Sequence, residues 1–247
     1  MSQALLETRK LKLAFGGLVV ANEIDFQLHS GERLAVIGQN GAGKTTFINI
    51  CTGLLRPDDG NVYFAGDDIT GRTPRSIVRR GMARSFQLPQ LFLDHTVRES
   101  LQIASASRQG KLSAWMGLGK ASDRIEIDHM LDLIGLRDRQ DEPCSNLPEG
   151  QRKLLDVAMS LMLRPQLLIL DEPTSGVSTE DKHTVMETLM SALDEHKVTA
   201  IFVEHDVDIV SRYATRVAAW ISGGIAADGK PADVLSNPMI QKEVLGL

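Results

Sequence analysis

The run Gly38-Gln39-Asn40-Gly41-Ala42-Gly43-Lys44-Thr45-Thr46 constrains this chain more than any other stretch of its 247 residues. Its glycines free the backbone to curl so that successive N–H groups face one centre, a geometry that suits an anion. Lys44 is long enough to reach the β and γ phosphates of a nucleoside triphosphate, and the Thr45 hydroxyl can ligate Mg2+. Just before the run, Arg33-Leu34-Ala35-Val36-Ile37 reads as a short buried strand. Just after it, Thr45 to Cys51 reads as a helix whose N-terminus faces the anion. Strand, loop and helix in that order make a chance glycine-rich turn a poor explanation. They predict an ATP or GTP site in which Asn40, Ala42 and Thr46 complete the loop.

The same order of elements predicts mixed α/β architecture, and the length is enough for one large domain with a substantial core. Cys51 and Cys144 are too few and too far apart for a disulfide framework or a CxxC metal site, and they read as small apolar residues in a reducing, cytosolic setting. The formal charge of -5 argues against broad neutralisation of nucleic-acid phosphates. No apolar stretch approaches the roughly 20 residues that span a bilayer, and Met1 to Glu7 lacks the basic start of a secretory signal. Any link to a membrane is therefore expected through a partner.

Residues 4 to 29 alternate apolar and polar around Gly16-Gly17, with Leu11, Leu13 and Phe15 on one run and Ile24, Phe26 and Leu28 on the next, which predicts an antiparallel β unit. Asn61 to Ala65 reads as a further edge strand. From about 90 to 163 the pattern turns helical, with helices expected at 96–105, 124–134 and 150–163, and 107–122 reads as a loose surface segment. Leu167 to Leu170 and Val198 to Val203 restore buried strands around a helix near 179–195, a βαβ pattern that implies a parallel sheet.

Leu167 to Leu170 runs straight into Asp171-Glu172-Pro173, placing two carboxylates where a hydrophobic strand ends, the edge that binds ligands in parallel sheets. Asp171 suits Mg2+ through a water. Glu172 points elsewhere and is the candidate general base, placed to polarise an attacking water in phosphoryl transfer.

Together with other segments, these motifs resemble the nucleotide-binding subunit of ABC transporters over essentially the whole chain. The resemblance implies an α/β P-loop NTPase (RecA-like) core with an antiparallel β subdomain and an inserted α-helical subdomain. As a single nucleotide-binding domain of 1–247, residues 1–89 plus 164–247 would form the core and 90–163 the helical lobe. It implies that Phe15 stacks on adenine, that Gln87 in Ser85-Phe86-Gln87 links Mg2+ to the helical lobe, and that His205 in Val203-Glu204-His205-Asp206 contacts the γ phosphate. The signature segment, usually Leu-Ser-Gly-Gly-Gln, stands here as Leu147-Pro148-Glu149-Gly150-Gln151, followed by Arg152-Lys153. In the family this segment closes on ATP held by the opposite subunit, so Pro148 removes a hydroxyl whose hydrogen bond is worth about 0.5–1.5 kcal/mol, while Gly150 and the helix dipole remain. Ser178 stands where the family usually has Asp. Both departures affect contacts to a partner, whereas Lys44, Asp171, Glu172 and His205 are intact. This asymmetry suggests pairing with a different ATPase.

Phe15-Gly16-Gly17-Leu18, Ala83-Arg84-Ser85-Phe86-Gln87, Thr96-Val97-Arg98-Glu99-Ser100 and the ending Val244-Leu245-Gly246-Leu247 narrow the resemblance to the first ATPase of branched-chain amino acid type uptake systems, a branch that includes relatives for urea and amides. It implies ATP and Mg2+ as cofactors, a second ATPase, two permeases, a periplasmic solute-binding protein, and a place on the cytoplasmic face of a bacterial inner membrane. Leu91 and Phe92 would either lie near a permease-docking groove or form lobe core. The rival readings are the ATPase of a lipopolysaccharide-type exporter and a nucleotide-binding subunit with a degenerate site.

Overall fold

A computed structural model describes residues 3–85, 89–110 and 123–246. Three strands expected from their apolar runs lie side by side at its centre: β3 (Arg33–Gly38), β7 (Leu167–Asp171) and β8 (Thr199–Val203). Leu34 to Ile37, Leu167 to Leu170 and Ala200 to Val203 are buried throughout, as strands covered on both faces must be. They belong to a six-stranded sheet of order β10-β9-β3-β8-β7-β6, completed by β6 (Met82–Ser85), β9 (Arg216–Ile221) and β10 (Gly224–Gly229). All neighbours in it are parallel except the β9–β10 hairpin.

A second, antiparallel sheet has the order β2-β1-β4-β5. β1 (Leu6–Phe15) and β2 (Leu18–Leu28) form the expected hairpin, and β4 (Asp59–Phe64) pairs with the other side of β1. β4 is not the edge: the two-residue β5 (Asp67–Asp68), too short to show as a periodic run, pairs beyond it.

Helix α1 (Lys44–Cys51) lies in the apolar layer between the two sheets. The Phe47 ring meets Phe26 of β2 edge-on, 5.4 Å between centroids, and lies 5.1 Å from Trp220 of β9. The helix that receives the glycine-rich loop is therefore clamped on both sides by aromatic packing. A larger apolar cluster covers the opposite face of the six-stranded sheet. It is built from α3 (Val97–Arg108), α4 (Arg124–Leu133), α5 (Glu149–Leu161) and α6 (Lys182–Glu195), after the short α2 (Pro74–Arg79) on the other side of β6. A capping box fixes the start of α3: Thr96 accepts from the Glu99 N–H, and the Glu99 carboxylate accepts from that of Thr96. α3 runs through Arg108, past the start expected for the 107–122 segment, of which 111–122 lie outside the described residues. Both cysteines are buried and free, and burial pushes the Cys51 thiol up, in line with their apolar reading. Among the described residues no helix is long and apolar enough to cross a membrane.

Because Phe47 is fully buried between two sheets, Phe47→Ala should lower stability by about 3–5 kcal/mol, read from the urea midpoint. Ile125→Ala, at an exposed position, should stay within about 0.5 kcal/mol of the unaltered chain.

Candidate functional site

Parallel pairing brings the ends of β3, β7 and β8 to one edge, where Gly38, Asp171 and Val203 pass into loops. The glycine-rich loop leaves β3 there. Gly41 and Gly43 take φ of +83° and +101°, in the region that side chains disfavour. A Cβ on Gly43 would lie 2.5 Å from the Val20 carbonyl oxygen, so glycine alone allows the loop to press against β2. Gly43 is also the N-cap of α1 and no side chain caps that helix, which leaves the N–H groups of the first turn open to an anion.

Lys44 is buried, with Nζ donating to the carbonyls of Gly38 at 2.5 Å and Gln39 at 3.0 Å. Burial lowers its pKa, opposed by the carboxylates of Glu172 and Asp171. Thr45 is exposed and Thr46 half-buried. A cleft of about 230 Å³ opens beside Asn40, Gly41 and Ala42, and Gln39 Nε2 donates to the Glu243 carbonyl at 2.7 Å, tying the C-terminal segment to the loop. Phe15 lies 51% exposed at the turn of the β1–β2 hairpin, the same hairpin whose Val20 backs Gly43.

Asp171 ends β7 in a largely buried ion pair that sequence reasoning did not assign. Arg84 Nη2 donates to its Oδ2 at 2.7 Å, and Nη1 donates to Asn49 Oδ1 at 2.6 Å. The two charged side chains are 8% and 12% exposed. The available signal is an arginine inside the strand Met82–Ser85, where its charge demands a buried acid. Glu172 then takes φ +50°, its N–H donating to the Val203 carbonyl, which turns the chain sharply after the strand. Its Oε1 lies 3.4 Å from His205 Nε2. Glu204, also unassigned, locks the two loops together: Oε1 accepts from the Thr174 N–H at 3.0 Å and its hydroxyl at 2.7 Å, and Oε2 from the His205 N–H at 3.2 Å. Asp206 caps the next helix, Val207–Tyr213, and is held below the usual carboxylate range chiefly by its hydrogen bond from Lys182.

The signature segment forms the start of α5. Leu147 is core, Pro148 is an N-cap without a side-chain bond, and Gln151 accepts from Arg139 at 3.1 Å. The Glu149 carboxylate lies over Gly176, where a Cβ would come within 2.2 Å of its Oε1, and Gly150 packs by Val177 and Val185. Ser178 donates to Asp181 at 2.6 Å. The structure thus gathers residues 38–46, Asp171, Glu172 and His205 at one edge and sets the signature helix against the loop that follows Glu172. Gln87 lies outside the described residues. Leu91 packs against the core, whereas Phe92 is exposed, with its ring 5.4 Å from that of His95.

Arg84→Met would leave the Asp171 charge without this partner, at an expected loss of about 3–5 kcal/mol in urea unfolding. Adding Asp171→Asn should restore part of it; two fully additive losses would show that the pair is not the cause.

Residues 21–175 match the family model for the ABC transporter. The chain is 36% identical to the probable branched-chain amino acid transport ATP-binding protein LivG of Archaeoglobus fulgidus, covering 98% of this chain and 95% of that protein. It is 32% identical to the high-affinity branched-chain amino acid transport ATP-binding protein BraF of Pseudomonas aeruginosa, over 100% and 99%. Among solved structures, an ATP-binding cassette of an ABC transporter in its ADP conformation superposes with a TM-score of 0.83 at 28% identity, covering 98% of each chain. With a family match across most of its length and relatives alike from end to end, this chain belongs to the ABC transporter family as an ATP-binding subunit.

Proposed function

We propose that this subunit binds and hydrolyses ATP to drive a bacterial importer of branched-chain amino acids or similar solutes, docked on two permeases at the cytoplasmic face of the inner membrane. The observation that carries the reading is the convergence of the glycine-rich loop, Asp171, Glu172 and His205 on one sheet edge, in a chain whose relatives bear that transport name over their full length. A periplasmic solute-binding protein would select the solute.

In this reading the loop N–H groups and Lys44 hold the phosphates, Phe15 stacks on the base, and residues 90–163 form a helical lobe against a core of 1–89 plus 164–247. Thr45 and Asp171 offer hard oxygen donors suited to Mg2+, and no group of three or more His, Cys, Asp or Glu among the described residues forms an all-protein cage. Thr45, Gln87 and Asp171 would hold the ion, which when bound supplies charge neutralisation at the phosphates. Asp171 meets that task with its charge already balanced by Arg84. Glu172 polarises the attacking water, and His205, within reach of the same carboxylate, contacts the γ phosphate.

The signature side differs in character. Pro148 supplies no hydroxyl, and Glu149 adds a negative charge at the start of α5, where a helix N-terminus would otherwise favour phosphate. This supports a partner ATPase whose own signature completes the site built on Lys44 and Glu172.

Glu172→Gln should bind ATP as the unaltered subunit does and lose hydrolysis by about 10²–10⁴-fold. In proteoliposomes with the co-purified permeases and binding protein, uptake of labelled leucine should fall with it. Hydrolysis unaffected by the substitution would remove Glu172 from its role, and an active complex that moves no amino acid would remove the importer assignment. On size exclusion with ATP, the isolated Glu172→Gln chain should remain monomeric; a robust homodimer would count against an obligatory second ATPase.

A further inference from the structure

Helix α5 carries three polar side chains at i, i+4 and i+7 that address the catalytic edge. Glu149 covers Gly176, Lys153 Nζ donates to the Glu172 carbonyl at 2.7 Å, and Asp156 Oδ2 accepts from Ser85 Oγ at 2.5 Å. The rest of the inward face is apolar, with Leu154, Leu155, Val157, Ala158 and Leu161 in the core.

Lys153 is the exception. It is 6% exposed, and burial pulls its ammonium below the usual lysine range, opposed by the carboxylates of Glu149, Glu204, Glu172 and Asp156. A methionine of similar volume would fill the position without that desolvation. What the lysine does supply is a charged donor to one particular carbonyl. Glu172 occupies a left-handed conformation that non-glycine residues adopt at a cost, and such a conformation persists when its surroundings hold it. Its N–H is fixed by Val203 and its carbonyl by Lys153, so the residue is gripped on both sides while its carboxylate lies toward His205.

We propose that Lys153 is a positioning residue for Glu172: by anchoring the Glu172 carbonyl it fixes the left-handed turn that aims the carboxylate, and it ties that aim to the helix that begins with the signature segment. The proposal rests on Glu172 being the water-polarising base. It assigns Lys153 no contact with nucleotide.

The test compares Lys153→Met, Lys153→Arg, Glu172→Gln and the Met/Gln double variant, each in the full-length subunit assembled with its co-purified partner ATPase and permeases, by single-turnover ATP hydrolysis and by binding of a fluorescent ATP analogue. Lys153→Met should lower the rate about 10- to 100-fold, with KM and analogue Kd held within about twofold. Lys153→Arg, which keeps a charged donor, should recover most of the rate. Added to Glu172→Gln, Lys153→Met should cost nothing further. A wild-type rate for Lys153→Met, a loss additive with Glu172→Gln, or weaker analogue binding in step with the lost rate would each overturn the proposal. If Lys153→Met does not fold, Lys153→Gln is judged by the same criteria. The two readings separate cleanly: a fully active Glu172→Gln removes the base itself, whereas an inactive Glu172→Gln beside a fully active Lys153→Met removes only the role of Lys153.

Discussion

The close approach of the glycine-rich loop to β2 is the constraint from which the rest of the site follows. The backbone at Gly43 lies against the Val20 carbonyl with no room for a Cβ. That contact can hold only because α1, directly behind it, is wedged between two sheets by Phe26, Phe47 and Trp220. The antiparallel sheet is therefore more than an appendage: it is the second jaw of the clamp, and the exposed Phe15 lies at the turn of its hairpin. A rigid apolar layer thus positions a polar loop whose open N–H groups need an anion, as a preorganised binding site requires.

On the other side of the site, buried charges do the positioning. Arg84 holds Asp171, Glu204 joins the loops after β7 and β8, and Lys153 reaches in from α5. Each costs desolvation that an apolar residue would avoid, and each makes side-chain hydrogen bonds within a small region around Glu172. Their concentration at one sheet edge, with apolar packing elsewhere in the same sheet, separates the requirements of catalysis from those of folding.

This division governs what was legible in the sequence. β3, β7 and β8 were readable because strands buried on both faces need unbroken apolar runs, and the starts of α3 and α4 fall beside Thr96 and Asp123 because N-caps are local chemistry. β9 was not assigned: Arg216-Val217-Ala218-Ala219-Trp220-Ile221 becomes a strand through its parallel pairing with β3, far away in sequence. His205 was assigned through the family resemblance, and the residues of the glycine-rich loop, Asp171 and Glu172 stood out as motifs. Arg84, Glu204 and Lys153 did not, since a charged residue in a helix or strand announces burial only when its partner is known. Those partners lie 87, 30 and 19 residues away.

The altered signature takes its meaning from the same geometry. Glu149 has not simply replaced a glycine at a helix start; its carboxylate is folded over Gly176, in the loop that begins at Glu172. Gly176 has φ +74°, and its missing Cβ is what makes room for that carboxylate. Glu149 and Gly176 are therefore one structural feature. Four residues further along the same helical face, Lys153 meets the Glu172 carbonyl, and three beyond it Asp156 meets Ser85. Glu149, which departs from the usual signature, thus sits on the face that also grips the loop after β7. In this chain a helix start expected to serve a partner's nucleotide is built into the scaffold of its own site. If the partner is a second ATPase with an unaltered signature, as proposed above, the two composite sites would be unequal by construction, with the stronger one formed on this chain's phosphate loop.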